Sequence, residues 1–236
     1  MEPPGPKTLE RPLPRRSEPG LRTLQPTALG DSEFPGFLYG TAWKEQETER
    51  LTRLALEAGF RGVDTANQRR HYFEAGVGAA VKKAIAGGVV RRDEVFLQTK
   101  FTYSGGQDQA LDQLKELWAH AIVPPAFVQN RCFASLGWDR AVRAFGRAKG
   151  IVYQGFSLLT ANGRELQHPA FLRLVARVGK TPAQVVFRFA HQVGMLPLTG
   201  TTDVEHMRED LEANRFELSE EDVRFVETIA TVATPR

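Results

Sequence analysis

The chain has 236 residues, which is enough for one large α/β domain or two small ones. Its net charge of +3, with 25% charged and 42% apolar residues, is that of an ordinary soluble protein and argues against a dedicated nucleic-acid surface. No apolar run reaches the roughly eighteen residues a membrane span needs. The single cysteine, Cys132, excludes an intramolecular disulfide and fits a reducing, cytoplasmic setting. No spacing of Cys and His suggests a metal site.

Residues 1–30 are dense in Pro and Arg and have only scattered apolar side chains. Such a segment buries too little surface to offset its chain entropy, so it reads as a disordered tail ahead of a folded domain over 31–236. Phe37 to Ala42 reads as a first strand. Glu45 to Ala58 carries Leu51, Leu54, Ala55 and Ala58 at helical spacing and stops at Gly59. Phe60 to Asp64 is a second strand. Tyr72 to Ala86 is a helix with small residues on one side, ended by Gly87 and Gly88. Val95 to Phe101 is a third strand, and Thr102 to Asp108 is a polar, Gly-containing loop.

Ala110 to Ala121 then reads as a helix, Ala126 to Asn130 as a strand, and Asp139 to Ala148 as a helix ended by Gly150. Ile151 to Ser157 is the fifth strand and Met195 to Thr199 the sixth. Between them lie helices over Glu165 to Val178 and Pro182 to Val193, the second started by Thr181 and Pro182. Asp203 to Leu211 and Ser219 to Ala230 close the chain as helices, with Ser219 and Asp222 forming a start signal. Strands alternating with helices in this way predict βαβ units and a parallel sheet with right-handed crossovers. The glycine fingerprint of a Rossmann fold, the P-loop and the serine elbow are all missing.

Three residues capable of proton chemistry gather near strand ends: Asp64 after the second strand, Tyr72 beyond it, and Lys100 after the third. Each alone has an ordinary structural role as a cap, a packed ring or a solvated cation. Together, at the carboxyl ends of parallel strands, they point to a site.

Gly62-Val63-Asp64-Thr65-Ala66, with Phe37 to Trp43, Val77-Gly78, Val95 to Lys100, Pro125 to Asn130, Gly155 to Leu159 and Leu196 to Leu211, resembles the aldo-keto reductase family over most of 36–230. The resemblance implies a (β/α)8 barrel of TIM type that reduces an aldehyde or ketone to an alcohol with NADPH, NADH being the alternative. Tyr72 is then the proton donor, Lys100 the cation that lowers its pKa, and Asp64 the partner of Lys100. Tyr103 is a second donor candidate, away from the motif. Asn130 falls where the family holds the nicotinamide carboxamide, and Phe156 where a ring stacks on it. Ser157 matches the pyrophosphate contact. Thr199, Gly200, Thr201 and Thr202 match the adenosine-phosphate loop, with Arg208 near the extra phosphate and Asp210 near adenine.

The chain departs from the family at two places. Asn67 to His71 lengthens the spacing from Asp64 to Tyr72. Around 107–110 about two β/α units are missing, including the strand that carries the family's catalytic His. The expectation is therefore an incomplete barrel with six of eight β/α units. It either closes by pairing the third strand with the fourth or stays open, with self-association through its edges. Activity is expected to be weakened. A cofactor-binding pseudoenzyme or a partner-binding shortened form is the alternative, with a small carbonyl compound as the partner of the active form.

Overall fold

The computed structural model describes residues 35–100 and 110–232. The segment 1–30, the loop Thr102 to Asp108 with Tyr103, and the junction leading into Ala110 lie outside the described residues. The strands are β1 (Leu38–Gly40), β2 (Gly62–Asp64), β3 (Phe96–Gln98), β4 (Phe127–Arg131), β5 (Val152–Phe156) and β6 (Met195–Thr199). They form one parallel sheet in the order β3-β2-β1-β6-β5-β4. The helices are α1 (Thr48–Ala58), α2 (Glu74–Ala86), α3 (Ala110–His120), α4 (Arg140–Lys149), α5 (Gly163–Leu166), α6 (Pro169–Val178), α7 (Pro182–Gln192), α8 (Val204–Leu211), α9 (Glu220–Glu227) and α10 (Ile229–Val232).

Two outcomes were open for β3 and β4, and the sheet takes the second: among the described residues these edge strands share no backbone ladder. The sheet is nonetheless strongly curled. Laid flat, β3 and β4 would lie five strand spacings apart, roughly 24 Å. Instead the rings of Phe96 and Phe127 meet with centroids 5.6 Å apart. The molecule is a curled half-barrel, an incomplete (β/α) barrel with six parallel strands among the described residues.

The pleat sorts side chains to two faces. Outward, Tyr39, Phe60, Tyr153, Trp138, Phe187 and Phe189 build the large core under the helices. A second outward cluster joins Val63 to Leu56, Val77 and Val81 beneath α1 and α2. Inward, Leu38, Leu196 and Leu198 pack with Phe96, Val152 and Phe156. Leu97, outward on β3, is 40% exposed, so apolar surface stands open at this edge.

Several helix ends fall where the sequence put them. Gly59 closes α1 in the left-handed region at φ 118°. Thr181 with Gln184, and Ser219 with Asp222, make reciprocal capping boxes. Three boundaries differ. The helix expected from Tyr72 begins at Glu74, which leaves Tyr72 on the preceding turn. The helix expected over Glu165 to Val178 is two helices. Pro169 has no N–H to continue the first, and His168 before it is extended and accepts from the Ala170 N–H instead. The last helix divides at Thr228.

Gly62 lies on the inward face of β2 and is packed tightly. A Cβ there would sit 2.4 Å from Leu38 Cδ2 and 2.9 Å from the Phe37 carbonyl oxygen. Gly62→Ala should therefore lower stability by about 1–3 kcal/mol, the usual cost of overpacking, as measured by urea unfolding. An unchanged midpoint would show that the interior has room to spare.

Candidate active site

Two short strands, β2 and β3, place three of the predicted residues together. Register pairs Asp64 with Gln98, so their side chains share the inward face at the carboxyl end of β2 and β3. The ladder continues past the strands, through Thr65 N–H to the Gln98 oxygen at 2.9 Å and Asn67 N–H to the Lys100 oxygen at 3.0 Å. That carries Lys100 back over the sheet. Its ammonium donates to Asp64 Oδ2 at 2.7 Å and to the Thr65 carbonyl at 3.0 Å, and stands 4.9 Å from the centre of the Tyr72 ring. Asp64, Lys100 and Tyr72 thus converge, with Asp64 only 2% exposed.

The electrostatic consequence differs from expectation. Lys100 was expected to pull the Tyr72 pKa down. Instead the phenol is pushed up to about 12, first by burial and then by the Asp64 charge. The ammonium lies over the ring face and is paired with Asp64, so its charge is largely spent on the carboxylate.

Asp64 is also the hub of a polar layer. Gln98 Nε2 donates to Asp64 Oδ1 at 2.7 Å, and Gln129 Nε2 donates to the same oxygen at 3.1 Å. Gln98 and Gln154 exchange two amide hydrogen bonds of 2.8 Å, and Gln129 adds a third to Gln154 at 3.1 Å. Gln154 is completely buried. None of these three glutamines was singled out from the sequence. The available signal was strand alternation, which places Phe127, Gln129 and Arg131 on one face of β4 and Asn130 on the other.

That alternation moves one predicted cofactor residue. Asn130 points outward, where its amide donates to Asp139 Oδ2 at 2.9 Å beside the Tyr153 hydroxyl. Gln129, not Asn130, is the amide turned to the interior. Phe156 is half-buried on the inward face. Ser157 holds a left-handed backbone at φ 56° and accepts a long bond of 3.4 Å from Arg131 Nε.

The remaining predicted residues form a second group at the end of β6, joined to the first because β1 pairs with both β2 and β6. The hydroxyl of Thr199 bonds the side chain of Asp210, whose carboxyl is raised to about 6 by burial. Tyr39 donates to the Thr201 carbonyl at 3.0 Å, and Lys44 donates to the Gly200 carbonyl at 2.5 Å. Lys44 was not foreseen. It is buried, its pKa is lowered by desolvation, and it has no carboxylate partner among the described residues. Thr201 Oγ1 accepts from the Asp203 N–H, and Thr202 is exposed. Arg208, expected near a phosphate, is paired with Glu205 on its own helix. Asp203 caps α8 by accepting from the Glu205 and His206 N–H groups.

A cavity of about 720 Å3 opens beside Tyr72, lined in part by Asn67, Gln68, Arg69, Arg70 and His71. Trp43 covers His71, with ring centroids 3.6 Å apart and the Trp43 N–H bonded to the His71 carbonyl at 2.7 Å. No group of acidic, His and Cys side chains among the described residues is arranged to hold a metal ion. No described helix is long and apolar enough to cross a membrane.

No protein-family model matches the chain. An aldo-keto reductase of Mycolicibacterium smegmatis is 27% identical over 79% of this chain and 86% of that protein. An uncharacterised oxidoreductase of Saccharomyces cerevisiae is 35% identical over 34% of this chain and 28% of that protein. Among solved structures, a Bombyx mori aldo-keto reductase in complex with NADP superposes with a TM-score of 0.69 at 18% identity, covering 83% of this chain and 89% of that one. A second silkworm aldo-keto reductase gives 0.72 at 20% identity, covering 83% and 84%. The chain is similar to aldo-keto reductases over about four fifths of its length. The likeness covers most of the half-barrel.

Two measurements test this geometry. Gln98→Leu removes amide bonds to Asp64 and Gln154 in a buried layer, and should cost about 1–3 kcal/mol in urea unfolding. Asp210 has a raised folded pKa, so its contribution to stability is fully present below pH 3.8 and is lost as pH rises through about 6. Asp210→Asn should flatten that loss, gaining on the order of 2 kcal/mol at pH 7 relative to the parent chain. Equal slopes for the two proteins between pH 4 and 7 would refute the assignment.

Proposed function

We propose that the chain reduces an aldehyde or ketone to an alcohol, with Tyr72 donating the proton and NADPH, or alternatively NADH, as the reductant. The observation that carries this reading is the convergence of Asp64, Lys100 and Tyr72 at one end of parallel strands. The cofactor would supply a hydride to the carbonyl carbon. The residues present fit such a group. Lys44 is a buried ammonium that meets the Gly200 carbonyl and the Tyr39 ring but no carboxylate among the described residues, and a phosphate would answer its charge. Gln129 offers an inward amide for a carboxamide, and Phe156 an inward ring. Thr199 to Thr202 supply the loop beside Lys44, while Asp210 anchors that loop from below through Thr199. Arg208 would have to leave Glu205 to reach a phosphate.

The chain's own residues then divide the work. Tyr72, held protonated at neutral pH by burial and by the Asp64 charge, keeps its proton available for the developing alkoxide. Lys100 can support the phenolate that remains, to the extent that Asp64 leaves its charge unspent. A donor this weak, without a second proton-bearing group from the missing strand, predicts slow turnover. The second reading is a cofactor-binding protein without turnover, and the high Tyr72 pKa favours it. Self-association through the open seam is a further proposal, favoured by exposed Leu97 on β3 and by exposed Ile122 and Val123 ahead of β4. Sedimentation of the full chain would test it, and a monomer at all concentrations would dismiss it.

The primary test is NADPH fluorescence titration followed by NADPH consumption with an aromatic aldehyde. Tyr72→Phe should abolish consumption and leave binding intact, and Lys44→Met should weaken binding by about tenfold, the size of one charged hydrogen bond. Consumption that survives in Tyr72→Phe would remove Tyr72 as the donor.

A further inference from the structure

We propose that the cavity beside Tyr72 is a substrate pocket for carbonyl compounds that carry a carboxylate, recognised by Arg69, Arg70 and His71. This rests on the reductase reading and adds the substrate class. The turn from Asn67 to Phe73 builds the cavity, and its volume of about 720 Å3 is that of a small-molecule site. The stretch that lengthens the spacing from Asp64 to Tyr72 therefore has a structural product.

Three observations favour an anion in the pocket. Arg69 and Arg70 line it, and neither is paired with a carboxylate among the described residues, whereas Arg50, Arg53, Arg91 and Arg208 are all paired. The Nδ1 atom of His71 is buried without a hydrogen-bond partner, while Trp43 pins the ring in place. The Oε1 atom of Gln68, on the same turn, is also buried and unpartnered, but it accepts, so it calls for a donor on the ligand and does not contribute to anion binding. A buried polar atom left in this state costs about 1–3 kcal/mol, which a ligand atom would recover. Finally, α2 starts without a side-chain cap, and its first residues, Glu74 and Ala75, line the same cavity. An uncapped helix start favours an anion.

The opposing charges limit the ligand. Glu45 and Glu74 also reach the rim, and Glu74 is held by the Thr99 hydroxyl. Two guanidinium groups facing two carboxylates favour a monoanion over a doubly charged phosphate. The planar fork of Arg matches a carboxylate, and His71 Nδ1 donates to it when that atom carries the proton.

The test uses 4-formylbenzoate and its methyl ester on the full chain, with intrinsic tryptophan fluorescence as the binding readout because Trp43 lies on His71. The acid should bind at least about tenfold tighter than the ester, one charged hydrogen bond's worth. Arg69→Ala and Arg70→Ala should each erase most of that preference, and His71→Gln should reduce it. Arg173→Ala, on α6, should leave it unchanged. These arginines are exposed, so the variants should fold. Equal affinities, no saturable binding of the acid, or a preference indifferent to both pocket arginines overturns the proposal. NADPH consumption is then followed with both compounds. A binding preference without consumption leaves the pocket standing and removes only the reductase reading.

Discussion

The half-barrel depends on side chains where a complete barrel depends on backbone. Closing a parallel sheet normally pairs its first and last strands, and the ladder then satisfies every edge group. Here β3 and β4 share no ladder among the described residues. Gln98 reaches from β3 to Gln154 on β5, and Gln129 on β4 reaches Asp64 on β2. A flat sheet would hold the first pair four strand spacings apart, roughly 19 Å. Three amide-to-amide and amide-to-carboxylate contacts across the seam, with one aromatic contact below them, hold the curl. Such a layer is stable only when every member is satisfied, because each buried amide left alone is costly.

The same layer fixes the chemistry. Asp64 Oδ1 is taken by two glutamines and Oδ2 by Lys100, so the carboxylate of β2 is tied to the ends of β3 and β4. The ammonium is therefore aimed at Asp64 and only faces the Tyr72 ring. Tyr72 gains burial and a nearby negative charge, and both keep its proton in place. The structure that compensates for missing strands is thus the one that makes the phenol a reluctant acid.

Much of this was legible in the sequence, for physical reasons. Apolar runs ending in Asp64 and Lys100, alternating with helices at helical spacing, carried the parallel sheet and the convergence of the two charges. Gly59, Thr181 and Ser219 announced their helix ends through local chemistry alone. What was not legible needed three dimensions. Asn130 was preferred to Gln129 because adjacent residues in a strand differ only in the face they take, and one step of register reverses the choice. Lys44 sits on a turn after β1, and only the fold brings it to Gly200. The Tyr72 pKa depends on where the Lys100 ammonium points, which spacing along the chain does not encode. His168 followed by Pro169 was a visible break that helical periodicity on either side obscured.

In the proposed cofactor complex, the polar layer and the carboxamide would compete for Gln129. To donate to a carboxamide oxygen, Gln129 would give up Asp64 or Gln154, each of which keeps Gln98 as a partner, so the cost is that of one hydrogen bond, about 1 kcal/mol. Micromolar binding is worth roughly 8 kcal/mol, so this competition would lower affinity by less than a decade and would not forbid binding. Lys44 works the other way. It is buried beside Gly200 with its charge unanswered, and a phosphate would recover part of a desolvation cost already met in folding. In that proposed complex the phosphate end would bind readily, while the nicotinamide end would first loosen a contact that holds the curl. Affinity in this chain should reside mainly at the β1 and β6 end, with the reacting end weakly held.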